Sequence, residues 1–89
     1  MARAYVHDPE ANLDYSVDWT DWIGTDTISS VTWTVPTGLT KGIQTKTDTI
    51  ATVWISGGTA GTSYSVECKI TTAGGRTDER TITLRCQER

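Results

Sequence analysis

The sequence lacks an excess of basic residues, because eight Lys and Arg stand against eleven Asp and Glu and give a formal charge of −3. Nucleic-acid binders gain most of their affinity by neutralising phosphates, so that class is disfavoured. No apolar run approaches the length of a membrane-spanning segment. The start, MARAYVHDPEANLDY, has no apolar stretch of the kind found in signal peptides. We therefore expect a protein that is made in the cytoplasm and binds neither nucleic acid nor membrane.

Residue types that carry catalysis or hold cofactors are also scarce. His7 is the single histidine, and a hydrolytic triad needs a base held rigidly beside a nucleophile. The glycine-rich segment SGGTAGTS (56–63) lacks the Lys of a phosphate-binding loop. The acidic residues around the first turn do not have the spacing of an EF-hand calcium loop. They are Asp14, Asp18, Asp21 and Asp26. The sequence predicts no enzyme, no cofactor and no metal site.

The two cysteines, Cys68 and Cys86, are not expected to form a disulfide with each other. If the chain turns at residues 73–75, Cys68 faces Arg80 or Thr81. Cys86 then lies about five positions further along, roughly 17 Å away at the rise of a strand, whereas a disulfide needs Cα atoms within about 7 Å. Reduced thiols on the apolar face are the favoured interpretation, and intermolecular pairing is the alternative.

No window has an apolar stripe at helical spacing, and the sequence is rich in Thr, Val, Ile, Trp and Tyr without any Phe. Apolar and polar residues alternate in several segments. They are LDYSVDW (13–19), IATVWIS (50–56), SYSVECKITT (63–72) and TITLRC (81–86). About six or seven short antiparallel strands, separated by Gly and Pro turns, predict an all-β sandwich with no significant helix.

Smaller features predict how the chain is organised around these strands. Residues 1–12 are polar and aperiodic, which predicts a flexible acidic arm before a single domain over residues 13–89. A break in the alternation predicts a bulge near Ser29–Ser30. PTGLTKG (36–42) is typical of a loop, and the polar segment 43–49 is typical of an edge strand.

The four tryptophans divide into two pairs. Trp19 and Trp33 are in the inward phase of their strands and are expected in the core. Trp22 falls in a connecting loop, and Trp54 lies on the face opposite Val53 and its apolar neighbours. An exposed Trp either partly caps the core or anchors an interface, and Trp is enriched among interface hot spots. Trp22 and Trp54 are therefore candidate interface residues.

Charge is distributed unevenly along the chain. Residues 1–26 carry six acidic groups against one Arg, whereas residues 76–89 carry four Arg against three acidic groups. The segment GRTDER (75–80) is expected to be a solvated turn with cross-strand ion pairs, since flanking arginines hold its carboxylates ionised. The asymmetry would favour one orientation in a head-to-tail array and allows a homo-oligomer. Four charged residues join the interface candidates: Asp14, Asp18, Arg76 and Arg80.

The order of these segments resembles a known family of phage proteins. HDPEANLDYSVDWTDWIGTDTISSVTWTVPTGLT and VWISGGTAGTSYSVECKITTAGGRTDERTITLRC are similar to small fiber–tail adaptors, also described as Ig-like virion proteins, over nearly the whole chain. The resemblance implies a single immunoglobulin-like sandwich, a place in the virion, assembly in the bacterial host cytoplasm, and tail or fiber proteins as partners. It also makes Tyr64 a candidate tyrosine corner, with Val66 where a disulfide-bonded domain carries a Cys.

Two functional hypotheses remain open from the sequence. The first is a non-enzymatic structural protein of a phage or prophage, a tail or fiber adaptor or a decoration protein, that acts through protein–protein contacts. The second is a carbohydrate-binding or host-adhesion module, in which exposed Trp rings stack on sugar rings. A change in tryptophan fluorescence on titration with glycans would favour the second.

Overall fold

The computed structural model describes residues 3–87 and contains two β-sheets whose facing residues form one core. Within these residues the elements follow one another along the chain. They are β1 (Arg3–His7), β2 (Asn12–Asp18), α1 (Thr20–Ile23), β3 (Ile28–Thr34), β4 (Leu39–Lys46), β5 (Ile50–Gly57), β6 (Ser63–Thr72) and β7 (Thr77–Cys86). The all-β prediction is confirmed, and α1 is a single helical turn of four residues.

The strand order explains the immunoglobulin resemblance. The four-stranded sheet has the order β1-β7-β6-β3, and the three-stranded sheet has the order β2-β5-β4. With β2 to β7 as strands B to G, these orders contain the G-F-C and B-E-D sets of an immunoglobulin constant domain. One pairing differs from the expectation of antiparallel strands throughout, because β1 runs parallel to β7.

The prediction of a loose arm over residues 1–12 is wrong for Arg3–His7. The backbone of β1 pairs along β7, from Arg3 opposite Ile82 to His7 opposite Cys86. His7 is fully buried, and its Nδ1 lies 2.6 Å from the hydroxyl oxygen of Tyr15. The alternation of β1 is weak in the sequence because one of its inward residues, His7, is polar. The partner strand also lies almost the whole chain length away.

The core is built from the inward residues of both sheets, as the alternation predicts. Trp19 is fully buried and Trp33 is 5% exposed, so both core predictions are confirmed. Six of its Val, Ile and Leu members come from β5, β6 and β7. They are Val53, Ile55, Val66, Ile70, Ile82 and Leu84. Because this core fills the space between the sheets, function is expected on the outside of the sandwich.

Strand β4 is an edge strand, as predicted, but it begins at Leu39, inside the segment predicted as a loop. Leu39 pairs with Gly57, and the ladder runs to Lys46 opposite Ala51. The pairing is interrupted after Lys41, and such an irregularity within a strand weakens the period-2 signal. The predicted bulge near Ser29–Ser30 is confirmed by a register shift between Ile28 and Ser30.

The β6–β7 hairpin has the predicted register. Cys68 lies opposite Arg80, and both Cys68 and Cys86 are free and buried. Burial raises the pKa of Cys68 to about 11, which keeps this thiol protonated and unreactive. The tyrosine corner is also present, since the backbone N–H of Thr59 donates to the hydroxyl oxygen of Tyr64 at 3.1 Å.

Candidate functional site

The outer face of the three-stranded sheet carries an exposed tryptophan on its central strand. Trp54 of β5 is 38% exposed, whereas its neighbours Val53 and Ile55 are fully buried, as the alternation predicts. Most of the other outward side chains on this sheet are small and polar, and Ser16 and Thr52 are hydrogen-bonded to each other at 2.7 Å. The indole of Trp54 is therefore an exposed apolar group on a mostly polar surface.

The bulge in β4 places a second apolar side chain beside this indole. The ladder steps from Lys41 opposite Ile55 to Gln44 opposite Val53, so Gly42 and Ile43 both lie opposite the single residue Trp54. Ile43 is 72% exposed. A bulge of this kind re-aims side chains at the edge of a sheet. Here it brings an isoleucine onto the same surface as the tryptophan.

A depression of about 360 Å³ lies between these residues. It is lined by Asn12, Gly42, Ile43 and Trp54. A Cβ atom at Gly42 would lie 3.4 Å from the Cβ of Trp54, so the two strands approach each other closely at this point. Asp14 lies directly opposite Trp54 on the β2 side and is exposed. We call these five residues, Asn12, Asp14, Gly42, Ile43 and Trp54, the Trp54 face.

The other candidate tryptophan, Trp22, is partly buried against the core by an arginine from the far hairpin. The guanidinium carbon of Arg76 lies 4.6 Å from the centre of the Trp22 ring, and its Nη2 donates to the carbonyl oxygen of Ile23 at 2.7 Å. The Nε of Arg76 lies 3.4 Å from Oδ2 of Asp26. The predicted ion pair of this turn is thus formed with the α1 region and not across the hairpin.

Arg80, the second arginine of this hairpin, makes a similar contact with Trp19. Its guanidinium carbon lies 4.3 Å from the centre of the Trp19 ring, and its Nη1 donates to the carbonyl oxygen of Asp18 at 3.0 Å. The rings of Trp19 and Trp22 meet edge to face at 5.4 Å. These contacts hold α1 against the β6–β7 hairpin.

Asp26 is the anchor of this arrangement. Its Oδ1 accepts from the backbone N–H groups of Thr27 at 2.9 Å and Gly74 at 3.0 Å. Hydrogen bonding from the hydroxyl of Thr72, together with these N–H groups and Arg76, lowers the pKa of Asp26 from 3.8 to about 2. A Cβ at Gly74 would lie 2.7 Å from Oδ2 of Asp26, so the glycine permits this close approach.

The lowered pKa of Asp26 has a consequence for acid stability. Because its folded-state pKa lies below 3.8, the stabilisation is complete above about pH 4 and is lost as the pH falls toward about 2. We expect Asp26→Asn to be less stable than the parent at pH 7 and nearly equal to it at pH 2. Urea unfolding across this range measures the difference, and Thr72→Val should show part of it. Parallel stability curves for parent and Asp26→Asn would contradict this role.

The acidic residues of the first turn do not converge on a common point. Within residues 3–87 no group of three or more His, Cys, Asp or Glu side chains could hold a metal ion. Asp18 instead accepts from the backbone N–H of Thr20 at 2.9 Å. The single histidine packs against Tyr15, with ring centres 5.8 Å apart.

Comparison with known proteins indicates the family of the chain. The family model of the podophage GP4 fiber-tail adaptor protein gp77 matches residues 7–85, which include every residue of the Trp54 face. The chain belongs to this family. The resemblance read from the sequence is therefore confirmed. No curated protein matches the chain.

Membership makes the protein a structural, non-catalytic component of the phage particle. In the part of the chain that the structure describes, no helix has the length and apolar character needed to cross a membrane. The adaptor is a folded sandwich, and its outer surfaces are the candidates for contact with other proteins.

Of the six interface candidates, the structure brings Asp14 and Trp54 together and leaves them exposed. The other four, Trp22, Asp18, Arg76 and Arg80, lie in the α1 region and the hairpin that packs on it. Ile43 is a member of the Trp54 face that the sequence interpretation missed. An isolated isoleucine in a polar edge segment was the available signal, but the bulge that pairs it with Trp54 depends on the register with β5.

Proposed function

We propose that this adaptor joins a tail protein to a fiber protein through direct protein–protein contacts, and that the Trp54 face is one of its contact surfaces. It is assembled into the particle in the cytoplasm of the bacterial host. The single observation that carries the proposal is the exposed Trp54 beside the exposed Ile43 on an otherwise polar sheet.

The exposed apolar residues support this choice of surface. Within residues 3–87 three large apolar side chains are exposed: Val6, Ile43 and Trp54. Two of the three adjoin each other on the Trp54 face. Tryptophan is enriched among hot-spot residues, and hot spots lie at the centre of a contact with near-neutral residues around them. The polar strand residues around Trp54 fit such a rim.

Trp22 is a weaker candidate than Trp54. Its ring already contacts both Arg76 and Trp19. A partner that used Trp22 would have to compete with these contacts. We therefore assign the anchoring role to Trp54, with Asp14 beside it, and a structural role to the Trp22 region.

Replacement of Trp54 tests the proposal. Trp54→Ala is expected to fold normally and to bind its neighbour in the particle roughly thirtyfold more weakly, the loss typical of a hot-spot residue. The copies of adaptor per particle can be counted by quantitative mass spectrometry when the variant, at limiting expression, complements a phage that lacks the adaptor gene. Val6→Ala is the matched control, because Val6 is 40% exposed on the other sheet. Incorporation of Trp54→Ala at the parental level would contradict the proposal.

The second candidate function is carbohydrate binding. The Trp54 ring lies beside the side chains of Asn12 and Asp14, and an aromatic face flanked by polar groups can hold a sugar ring. Titration of the purified protein with oligosaccharides separates the two functions. Quenching of tryptophan fluorescence in the parent and not in Trp54→Ala would favour sugar binding, whereas the adaptor role predicts no change.

A further inference from the structure

Within this chain, two arginine guanidinium groups lie over tryptophan rings. Arg76 stacks on Trp22 at 4.6 Å and pairs with the carboxylate of Asp26 at 3.4 Å. Each contact is favourable because an indole face is electron-rich and a carboxylate matches the guanidinium group. The arrangement has three members, namely an indole, a carboxylate and an arginine that serves both.

The Trp54 face has two of these three members. Asp14 and Trp54 lie directly opposite each other on β2 and β5, and both point outward. Side chains in such positions have Cβ atoms about 4.5–5.5 Å apart. Among the described residues no arginine or lysine stacks on Trp54, and none forms an ion pair with Asp14. The indole and the carboxylate are thus adjacent on one exposed face.

We propose that the Trp54 face receives an arginine from the partner protein. Its guanidinium group stacks on Trp54 and pairs with Asp14, and its aliphatic stem lies along Ile43 in the depression. The inference rests on the proposed function and adds the chemistry of the partner: a protein segment with an arginine at the centre of the contact.

The surroundings favour a cation, and arginine over lysine. Strand β2 points Asp14 to the outer face, and the whole chain carries a net charge of −3. A positively charged partner segment is attracted to such a surface. The guanidinium plane can stack on an indole and bind a carboxylate through two donors at once, which a lysine ammonium group cannot do. The apolar wall formed by Ile43 suits the methylene groups of the stem.

The first experiment separates arginine stacking from simple apolar burial. Trp54→Phe keeps an aromatic face, whereas Trp54→Leu keeps apolar area without one. Stacking predicts that Trp54→Phe is incorporated into particles better than Trp54→Leu. The same assay should show about threefold weaker binding for Asp14→Asn, the loss of one exposed ion pair. Asp14→Arg should bind more than tenfold more weakly, because it places like charges together.

The second experiment identifies the arginine. A photo-crosslinking amino acid at position 43, which is 72% exposed and therefore replaceable without loss of the fold, should capture the partner in assembled particles. We expect the captured peptide to contain an arginine within a few residues of the crosslink. Replacement of that arginine by Glu should reduce incorporation of the parental adaptor. Asp14→Arg should then restore it.

The outcomes distinguish this inference from the function on which it rests. If Trp54→Ala is incorporated at the parental level, the proposed function fails. If Trp54→Ala is lost from particles while Trp54→Leu and Asp14→Arg match the parent, the surface is used but the arginine inference is overturned. A captured peptide without an arginine, or one whose arginine can be replaced by Glu without effect, also overturns it.

Discussion

Trp19→Ala is expected to lower the free energy of unfolding by about 3–5 kcal/mol, the range for removal of a large aromatic side chain from a core. Trp19 is fully buried, and its ring contacts both Trp22 and the guanidinium group of Arg80. Removal of the ring leaves a cavity in the core, and it also removes contacts that hold α1 against the hairpin. Small domains have a free energy of unfolding of about 5–15 kcal/mol in total, so this loss is a large part of it.

Urea unfolding followed by circular dichroism measures this change without relying on tryptophan emission. The matched control is Trp54→Ala, the same substitution at a position that is 38% exposed. Surface substitutions usually change stability by about 0.5 kcal/mol or less. Equal losses from the two variants would show that Trp19 is not the core residue described here.

Gly58→Ala is expected to cost about 2–5 kcal/mol, because it combines backbone strain with a clash in the core. Gly58 has a φ of +100°, a conformation that residues with a Cβ rarely adopt. The added Cβ would come under 3.0 Å from the sulfur of Cys86 and 3.1 Å from Cδ2 of Leu39. Cys86 is 1% exposed, and a close-packed interior resists movement of its sulfur.

Two further variants separate the strain from the clash. Gly61→Ala has a similar φ of +87° with no atom within 4 Å of the added Cβ, so only the strain of about 1–3 kcal/mol should appear. Cys86→Ala combined with Gly58→Ala should recover part of the stability lost by Gly58→Ala alone. Thermal unfolding of the four proteins tests both points, and identical melting temperatures for Gly58→Ala and Gly61→Ala would exclude the clash.

Much of the fold follows from local sequence periodicity. Residues 13–19, 50–56 and 63–72 alternate over seven or more positions, and each alternation corresponds to β2, β5 or β6 with the predicted inward face. The register of the β6–β7 hairpin followed from its turn, because the two strands are adjacent in the chain. The position of Trp54 on the outer face followed from the same parity argument.

The features that escaped prediction depend on residues far apart in the chain. Strand β1 is defined by pairing with β7, and its inward residue His7 counts as polar in any periodicity. Arg76 contacts Asp26 across a separation of 50 positions in the chain. The local sequence GRTDER predicts only a turn with cross-strand ion pairs, because it contains no information about that distant residue. Ile43 joins Trp54 through a bulge whose position depends on the β5 register. Long-range pairing, and not composition, decides each case.

The four tryptophans differ in how deeply they are buried, and this difference connects the fold with the proposed function. Trp19, Trp22 and Trp33 stabilise the sandwich, whereas Trp54 adds little to the core and leaves its face exposed. A residue that contributes little to folding yet is large and apolar is expected to contribute to binding. The proposed function therefore assigns contact to one sheet face and stability to the interior.

Electron cryomicroscopy of the intact particle tests this assignment most directly. At side-chain resolution, the adaptor should lie at the junction between fiber and tail, with Trp54 and Ile43 buried against a neighbouring protein. The account is contradicted if the Trp54 face is turned to solvent in every copy at that junction, or if the junction contains no adaptor.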